Sequence, residues 1–350
     1  MHDFKSKKVI KMTNIMSIAI VGYGNIGKGV ELAVNHNKEL YGDMEIAGII
    51  SRRPEDVRAQ IKNKYPIAAT SDISLWKDLG ADVAILCGGS KTDLPEQGPF
   101  FASYLPTVDS YDNHNLILNH FKEMDKVARQ AGHPVVISSG WDPGTFSLER
   151  VLANAFIPGA KAYGFYGLTE TGGLSQGHSD AVRRIEGVVD ARQYTHAIPE
   201  SIEGVRKGEN PDLSKGEMHW RDVYVVLRND TPEERASVEE AIKTDPDYFA
   251  PYETIVHFVS QEEIEKNHSQ MPHDGLVIAS GITGNRNQSS IEYKNVWKSN
   301  PEATAGILVA CARACHKLNQ EKKVGAFTML DIPPAFYSPH SKEELLRKFM

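Results

Sequence analysis

Residues 17–27, SIAIVGYGNIG, decide how the rest of the chain is read. Ile18, Ala19, Ile20 and Val21 form an unbroken apolar run, the pattern of a strand covered on both faces. The run leads directly into Gly22-x-Gly24-x-x-Gly27, after which Ile26, Val30, Leu32, Ala33 and Val34 recur at helical spacing. Strand, glycine turn and helix start together form a dinucleotide-binding fingerprint. The first glycine makes the tight turn, the second lets backbone approach a pyrophosphate, and the third lets helix pack on strand. The N–H groups at the helix start then face an anion favoured by the helix dipole.

Residues 45–50, EIAGII, give a second strand that ends in Ser51-Arg52-Arg53. In NAD-selective folds of this kind an acidic residue about 20 positions past the glycines accepts the ribose 2′-hydroxyl, whereas arginine accommodates a 2′-phosphate. Here the carboxylate is missing and two guanidinium groups, matched to phosphate in charge and geometry, stand in its place. The expected cofactor is NADP.

Residues 82–87, DVAILC, give a third strand, opening into Gly88-Gly89-Ser90-Lys91-Thr92, a small-residue loop that either passes beneath a nicotinamide ribose or simply turns. Residues 107–109 give a fourth, followed by Tyr111-Asp112-Asn113-His114 and a helix with Leu118, Phe121, Met124, Val127 and Ala128 on one face. A fifth, over residues 135–137, ends in Ser138-Ser139-Gly140-Trp141-Asp142-Pro143-Gly144. Pro143 suits the first turn of a helix carrying Phe146, Leu148, Val151 and Leu152. Alternating strands and helices predict an α/β, Rossmann-type doubly wound parallel sheet, whose ligands collect beyond the carboxyl ends of the strands. Arg52, Ser90, Asp112 and Asp142 all lie beyond such ends, which lifts the two aspartates above ordinary turn residues.

With 350 residues the chain is long enough for two domains. A formal net charge of -7 gives no footprint for nucleic acid or an anionic membrane. No apolar run reaches the ~18 residues of a membrane span, and the basic start at Lys5, Lys7, Lys8 and Lys11 is not followed by a signal-peptide core. Three cysteines, Cys87, Cys311 and Cys315, are too few for a disulfide framework and lack CxxC spacing, so a cytoplasmic location is expected. Cys311 and Cys315, four apart, read as packing residues of one helix. Residues 1–15 precede the fold signal and are expected to form a disordered extension.

From about residue 160 the texture changes to strand-like runs with polar alternation, at 162–167, 220–227 and 254–259. These predict a second, α+β domain, with a flexible segment over residues 172–180, GGLSQGHSD, before a helix over 181–185. His178, His219 and His273 are spread through this region, but no HExxH or His-x-His spacing supports a metal, and none is expected. Residues 301–318 read as a helix that Asn300 could cap.

GYGNIG, SRR, VDSYDNH, SSGWDPG, LSQGHSD, PDYF, MPHDG and GAFT follow one another between residues 17 and 328. In this order the chain resembles the meso-diaminopimelate D-dehydrogenases. The resemblance implies NADP-dependent, reversible oxidative deamination of the D-centre of meso-2,6-diaminopimelate to L-2-amino-6-oxopimelate and ammonia, in lysine and cell-wall precursor biosynthesis. It implies an NADP-binding domain of residues 16–142 plus 299–350, a substrate-binding and dimerisation domain of residues 143–298, and a homodimer. Asp112 and Asp142 become the candidate catalytic groups, meeting the D-centre with Trp141, Gln176 and Gly177, while Thr195, Arg221, His273 and Asn300 meet the L-centre. The implied cofactor contacts are Gly22, Tyr23, Gly24, Asn25, Ile26, Gly27, Ser51, Arg52, Arg53, Cys87, Gly88, Gly89, Ser90, Thr92 and Tyr111. The chemistry agrees with this division, because two ammonium groups need anionic partners and a distal carboxylate suits the fork of an arginine. Two departures stand out: the turn over residues 167–173 looks longer than its family counterpart, and Tyr166 stands where tryptophan is expected. Two other readings keep the nucleotide half: a related NADP-dependent dehydrogenase acting on other D-amino acids, and a noncatalytic NADP-sensing protein.

Overall fold

The computed structural model describes residues 15–350, and the basic start of the chain lies outside them. Among the described residues the first strands are β1 (Met16–Val21), β2 (Met44–Ser51), β3 (Ile67–Ala69), β4 (Val83–Leu86), β5 (Thr107–Asp109) and β6 (Pro134–Val136). Val83, Ala84, Ile85 and Leu86 are all buried, as are Ile18 to Val21, so both faces of the central strands are covered. The short strand β3 has no counterpart in the sequence reading, and the runs at 82–87, 107–109 and 135–137 are therefore the fourth, fifth and sixth strands. Three residues are too few to show a period.

Two helices differ from expectation. The helix Ile117–Ala131 buries His120, Met124 and Ala128, whereas Leu118 is 65% exposed. The helix after β6 spans Thr145–Phe156, so Pro143 lies in the preceding turn rather than in its first turn. Gly144, at φ 144°, separates the two.

The segment Phe146–Asn300 forms a compact unit of its own. Its strands are β7 (Tyr163–Tyr166), β8 (Gly173–Leu174), β9 (Val188–Ala197), β10 (His219–Leu227), β11 (Thr254–Phe258), β12 (His273–Thr283) and β13 (Asn287–Trp297). They build a four-stranded sheet in the order β11-β10-β9-β8 and a three-stranded sheet in the order β13-β12-β7. Along β10, Arg221, Val223 and Val225 are buried while Trp220, Asp222 and Tyr224 are half-buried, the period of two that places one face against a core. The expected flexible segment is ordered. Gly173 and Leu174 pair with Thr195 and Tyr194, and the helix Gln176–Arg183 begins five residues before the expected start, with Ser175 Oγ accepting the His178 amide.

The chain then returns to the first unit, which comprises residues 15–145 and 301–350. The long helix Asn300–Gln320 starts at Asn300 itself. Cys311 and Cys315 are fully buried in the same core as Val30, Val34 and Ile20. Helix approaches helix closely here, since a Cβ on Gly29 would lie 2.9 Å from the Ala305 methyl. A buried ion pair, Arg313 Nε to Asp43 Oδ2 at 2.6 Å, ties this helix to the entry of β2. The last strand, β14 (Gly325–Phe327), pairs in parallel with β6. The completed parallel sheet has the order β14-β6-β5-β4-β1-β2-β3. That is the Rossmann-type doubly wound order with one added strand, and its direction reverses between β1 and β4.

Candidate active site

At the reversal point Gly22 adopts φ 89°, a left-handed conformation that glycine reaches without strain. A Cβ on Gly27 would collide with the Gly22 carbonyl oxygen, whereas one on Gly24 would meet nothing within 4 Å. The first and third glycines are thus needed by the fold, and the second opens space for something else. The helix Asn25–Tyr41 starts there with no acidic residue in its first turn, leaving its N-terminal N–H groups to an anion. Gly22, Tyr23, Gly24, Ser51, Arg52, Arg53, Cys87, Gly88 and Gly89 line one cleft of about 250 Å³.

Arg52 reaches across this cleft to Asp93, Nη2 to Oδ1 at 2.8 Å, with 68% of its side chain still exposed. Asp93 Oδ2 also accepts the Gly89 amide at 3.0 Å. Arg53 is more open and lies 3.8 Å from Asp56, while its amide donates to Ser51 Oγ at 3.0 Å. Both guanidinium groups stay available because their carboxylate partners leave much of each fork in solvent. Sequence reading missed Asp93, which follows directly on the small-residue loop, and also Asp56, Gln60, Thr70 and Gln97 along the same cleft. Tyr23 donates its hydroxyl to Glu31, and burial, reinforced by Glu31, raises its phenol pKa.

Beyond β4 and β5, the Asp112 amide donates to Ser90 Oγ at 3.0 Å, which brings the glycine loop and the Asp112 loop together. Asp112 is exposed, Asp142 half-buried and Trp141 buried. Tyr111 is also buried, its ring stacked on His120 at 4.1 Å and 15°. Burial, then the charges of Asp109 and Asp112, raise its phenol pKa.

In the other unit, Thr195 and Arg221 face each other across β9 and β10, and Gly173 faces Thr195 from β8. Arg221 Nη1 donates to Thr195 Oγ1, and the guanidinium lies 4.0 Å above the Tyr252 ring. Its Nε is buried without a hydrogen-bond partner. Burial disfavours the guanidinium's charge, which Tyr252 and Tyr166 support. Gln193, two residues before Thr195 on the same face and fully buried, donates Nε2 to Thr195 Oγ1 at 3.3 Å. Period-two spacing was the available signal for it. The His273 ring packs on Gly173, where a Cβ would lie 2.6 Å from its Nδ1.

The histidines spread along the sequence are neighbours here in charge as well. Burial, with the positive fields of Arg221 and His273, pushes His219 down to about 3 and His178 well below its ordinary value. His219 Nε2 accepts the Tyr166 amide at 2.9 Å, and His178 Nδ1 meets Ser175 Oγ at 2.6 Å. Both rings are therefore neutral at neutral pH. Among the described residues no group of three or more His, Cys, Asp or Glu side chains has the arrangement of a metal site. Gln176, in the first turn of its helix, donates to Met271 Sδ at 3.3 Å. The Met271 carbonyl accepts the Asn300 amide at 2.8 Å, which brings Gln176 and Asn300 to the two sides of one residue.

Residues 140–299 match the family described as Diaminopimelic acid dehydrogenase C-terminal domain. The chain is 47% identical over 336 residues to a meso-diaminopimelate D-dehydrogenase of Acetivibrio thermocellus, covering 95% of this chain and 97% of that protein. It is 41% identical over 337 residues to the Corynebacterium glutamicum protein of the same name, covering 96% and 99%. The chain belongs to the meso-diaminopimelate D-dehydrogenase family.

A solved structure of the C. glutamicum DAP dehydrogenase in complex with DAP matches with a TM-score of 0.87 at 39% identity, over 96% of this chain and 99% of that one. An engineered D-amino acid dehydrogenase bound to NADP+ matches with a TM-score of 0.84 at 38% identity, over 96% and 100%. The activity of this meso-diaminopimelate D-dehydrogenase family member is accordingly NADP-dependent oxidation of diaminopimelate at its D-centre.

Proposed function

We propose that Asp112 and Asp142 serve the reacting D-centre and that Thr195, Arg221, His273 and Asn300 hold the L-centre. The observation that carries this reading is the saturation of the Thr195 hydroxyl. Its oxygen accepts from both Arg221 Nη1 and Gln193 Nε2, which occupies both lone pairs. Its hydrogen is then directed to a further acceptor, and beside it Arg221 keeps a buried Nε with no partner. A hydroxyl donor and a guanidinium with donors to spare suit a carboxylate. The neutrality of His178 and His219 leaves Arg221 to supply positive charge to that anion.

The nucleotide residues fit NADP on their own geometry. Gly24 is open where a pyrophosphate needs backbone approach, and Arg52 and Arg53 present exposed forks for the 2′-phosphate. Gly22, Tyr23, Asn25, Ile26 and Gly27 would hold the pyrophosphate turn, and Ser51, Cys87, Gly88, Gly89, Ser90, Thr92 and Tyr111 the two ribosyl ends. When bound, NADP supplies the hydride acceptor for the D-centre carbon, and water completes deamination of the oxidised carbon. The chain's own task is to hold that carbon at near-attack distance and to take a proton from the amine. Asp112 and Asp142 accept that ammonium or its proton, Trp141 closes the apolar side, and Gln176 with Gly177 borders the same end. We further propose that the protein works in the cytoplasm as a homodimer. No helix among the described residues is long and apolar enough to cross a membrane.

NADPH production measured with the meso, L,L and D,D isomers of diaminopimelate and a panel of D-amino acids tests the reading. Turnover of the meso isomer far above the L,L isomer is expected. Equal turnover of both would refute the one-directional site.

A further inference from the structure

We propose that the buried Asp109–His120 pair is a positioning device that holds Asp112 and Asp142 for the reacting amine, an inference that rests on the role given to those aspartates above. Asp109 ends β5, and its Oδ1 accepts two backbone amides, Tyr111 N–H at 3.0 Å and Ser138 N–H at 2.9 Å. Its carbonyl oxygen accepts the Ser139 amide at 2.8 Å and the Ser139 hydroxyl at 3.0 Å. A single residue therefore joins the loop that carries Asp112 to the loop that carries Trp141 and Asp142. Ser138 is held at φ 51°, a left-handed conformation uncommon for serine, and the bond from its amide to Asp109 fixes it there.

With Oδ1 filled, Asp109 Oδ2 needs a donor. His120 Nε2 lies 2.9 Å away, and the two side chains are 3% and 1% exposed. Because the carboxylate accepts two amides on one oxygen, the hydrogen-bond network assigns the imidazole hydrogen to Nε2, pointing at the other. His120 comes from the buried face of the helix Ile117–Ala131, so the pair fastens both loops to a rigid element behind the sheet. Its ring also supports Tyr111 from below, one residue before Asp112. A buried carboxylate that loses its donor is costly, so removing Nε2–H loosens Asp109 and, through it, both loops. Neither Asp109 nor His120 is assigned a contact with substrate.

The test compares His120→Gln, whose amide can place a donor near the Nε2 position, with His120→Met, which fills the space without one. Full-length protein is assayed for kcat with meso-diaminopimelate, for NADPH affinity by fluorescence, and for the kinetic isotope effect with substrate deuterated at the D-centre. Loss of near-attack geometry can cost about 100-fold, so His120→Met should lower kcat by roughly 30-fold or more with NADPH affinity within about threefold and a larger isotope effect. His120→Gln should stay within about threefold of the unaltered protein, because it restores the same hydrogen bond. Unchanged kcat in His120→Met, or equal damage in both variants, overturns the proposal. Should His120→Met fail to bind NADPH, His120→Asn, polar but too short to reach Oδ2, replaces it, and retained turnover there overturns the proposal equally. Asp112→Asn and Asp142→Asn run in parallel. If they leave turnover intact, the assignment of the aspartates fails; if they slow it while His120→Met does not, the positioning role alone fails.

Discussion

Replacing Arg221 by methionine separates its work on the substrate from its work in the fold. Arg221 is 6% exposed, and its guanidinium is bonded to Thr195, stacked over Tyr252 at 4.0 Å, and has a bare buried Nε. In the free protein this is a costly arrangement, and exchanging a buried ion for a well-packed apolar side chain is often neutral or stabilising by ~1–4 kcal/mol. Against that stands the lost stacking on Tyr252, about 0.5–2 kcal/mol. Unfolding of Arg221→Met should therefore occur at the same temperature or a few degrees higher. With substrate bound, two charge-assisted bonds to the distal carboxylate, at ~1.5–3 kcal/mol each, are lost together. That is ~3–6 kcal/mol, or about 10²–10⁴ in kcat/KM for meso-diaminopimelate. Arg221→Lys keeps the charge without the fork and should lose about 10–150-fold, one such bond. D-Alanine, which has no distal carboxylate, should show nearly the same kcat/KM in all three proteins. Thermal unfolding and steady-state kinetics with both substrates decide the matter. Equal losses on both substrates, together with a clear drop in unfolding temperature, would show that Arg221 serves the fold.

Neutral replacements of both Arg52 and Arg53 should weaken NADP by a few kcal/mol, at ~1.5–3 kcal/mol per charged contact, while NAD changes little, as titration with each cofactor will show. Gly24→Ala should fold normally, since its Cβ meets nothing, yet bind NADP poorly; unaltered binding would remove the pyrophosphate from that turn. With substrate deuterated at one centre only, label should reach NADPH from the D-centre and never from the L-centre. His219 has a folded pKa pushed down to about 3, so its contribution to stability is complete above an unfolded value of ~6.5 and is lost as the pH falls from there toward 3. Each unit of pH in that window costs about 1.4 kcal/mol, and His219→Gln should flatten the slope of denaturant stability against pH by about that amount. An unchanged slope would mean that the ring is not held neutral.

What the sequence determined was set by local physics. The glycine spacing, the apolar run before it and the Arg52-Arg53 pair each express a constraint that acts within a few residues, so sheet type, cofactor class and the two aspartate loops could be read directly. The family strings added the proposal that Thr195, Arg221, His273 and Asn300 hold the L-centre. What tertiary structure alone decided depends on pairings between distant segments. The glycine-rich stretch 172–180 looked flexible because its order comes from β9, some 20 residues away, and from a cap at Ser175. Three histidines without metal spacing proved to be neighbours around Arg221, where shared burial and charge keep His178 and His219 neutral. Asp93, Gln193 and His120 lie in no motif, and Asp109, although inside VDSYDNH, has nothing in that string to mark it as a buried partner of His120. Their roles arise from the groups that folding brings to them: an arginine 41 positions earlier in the chain for Asp93, a cross-strand hydroxyl network for Gln193, and two loop amides for Asp109.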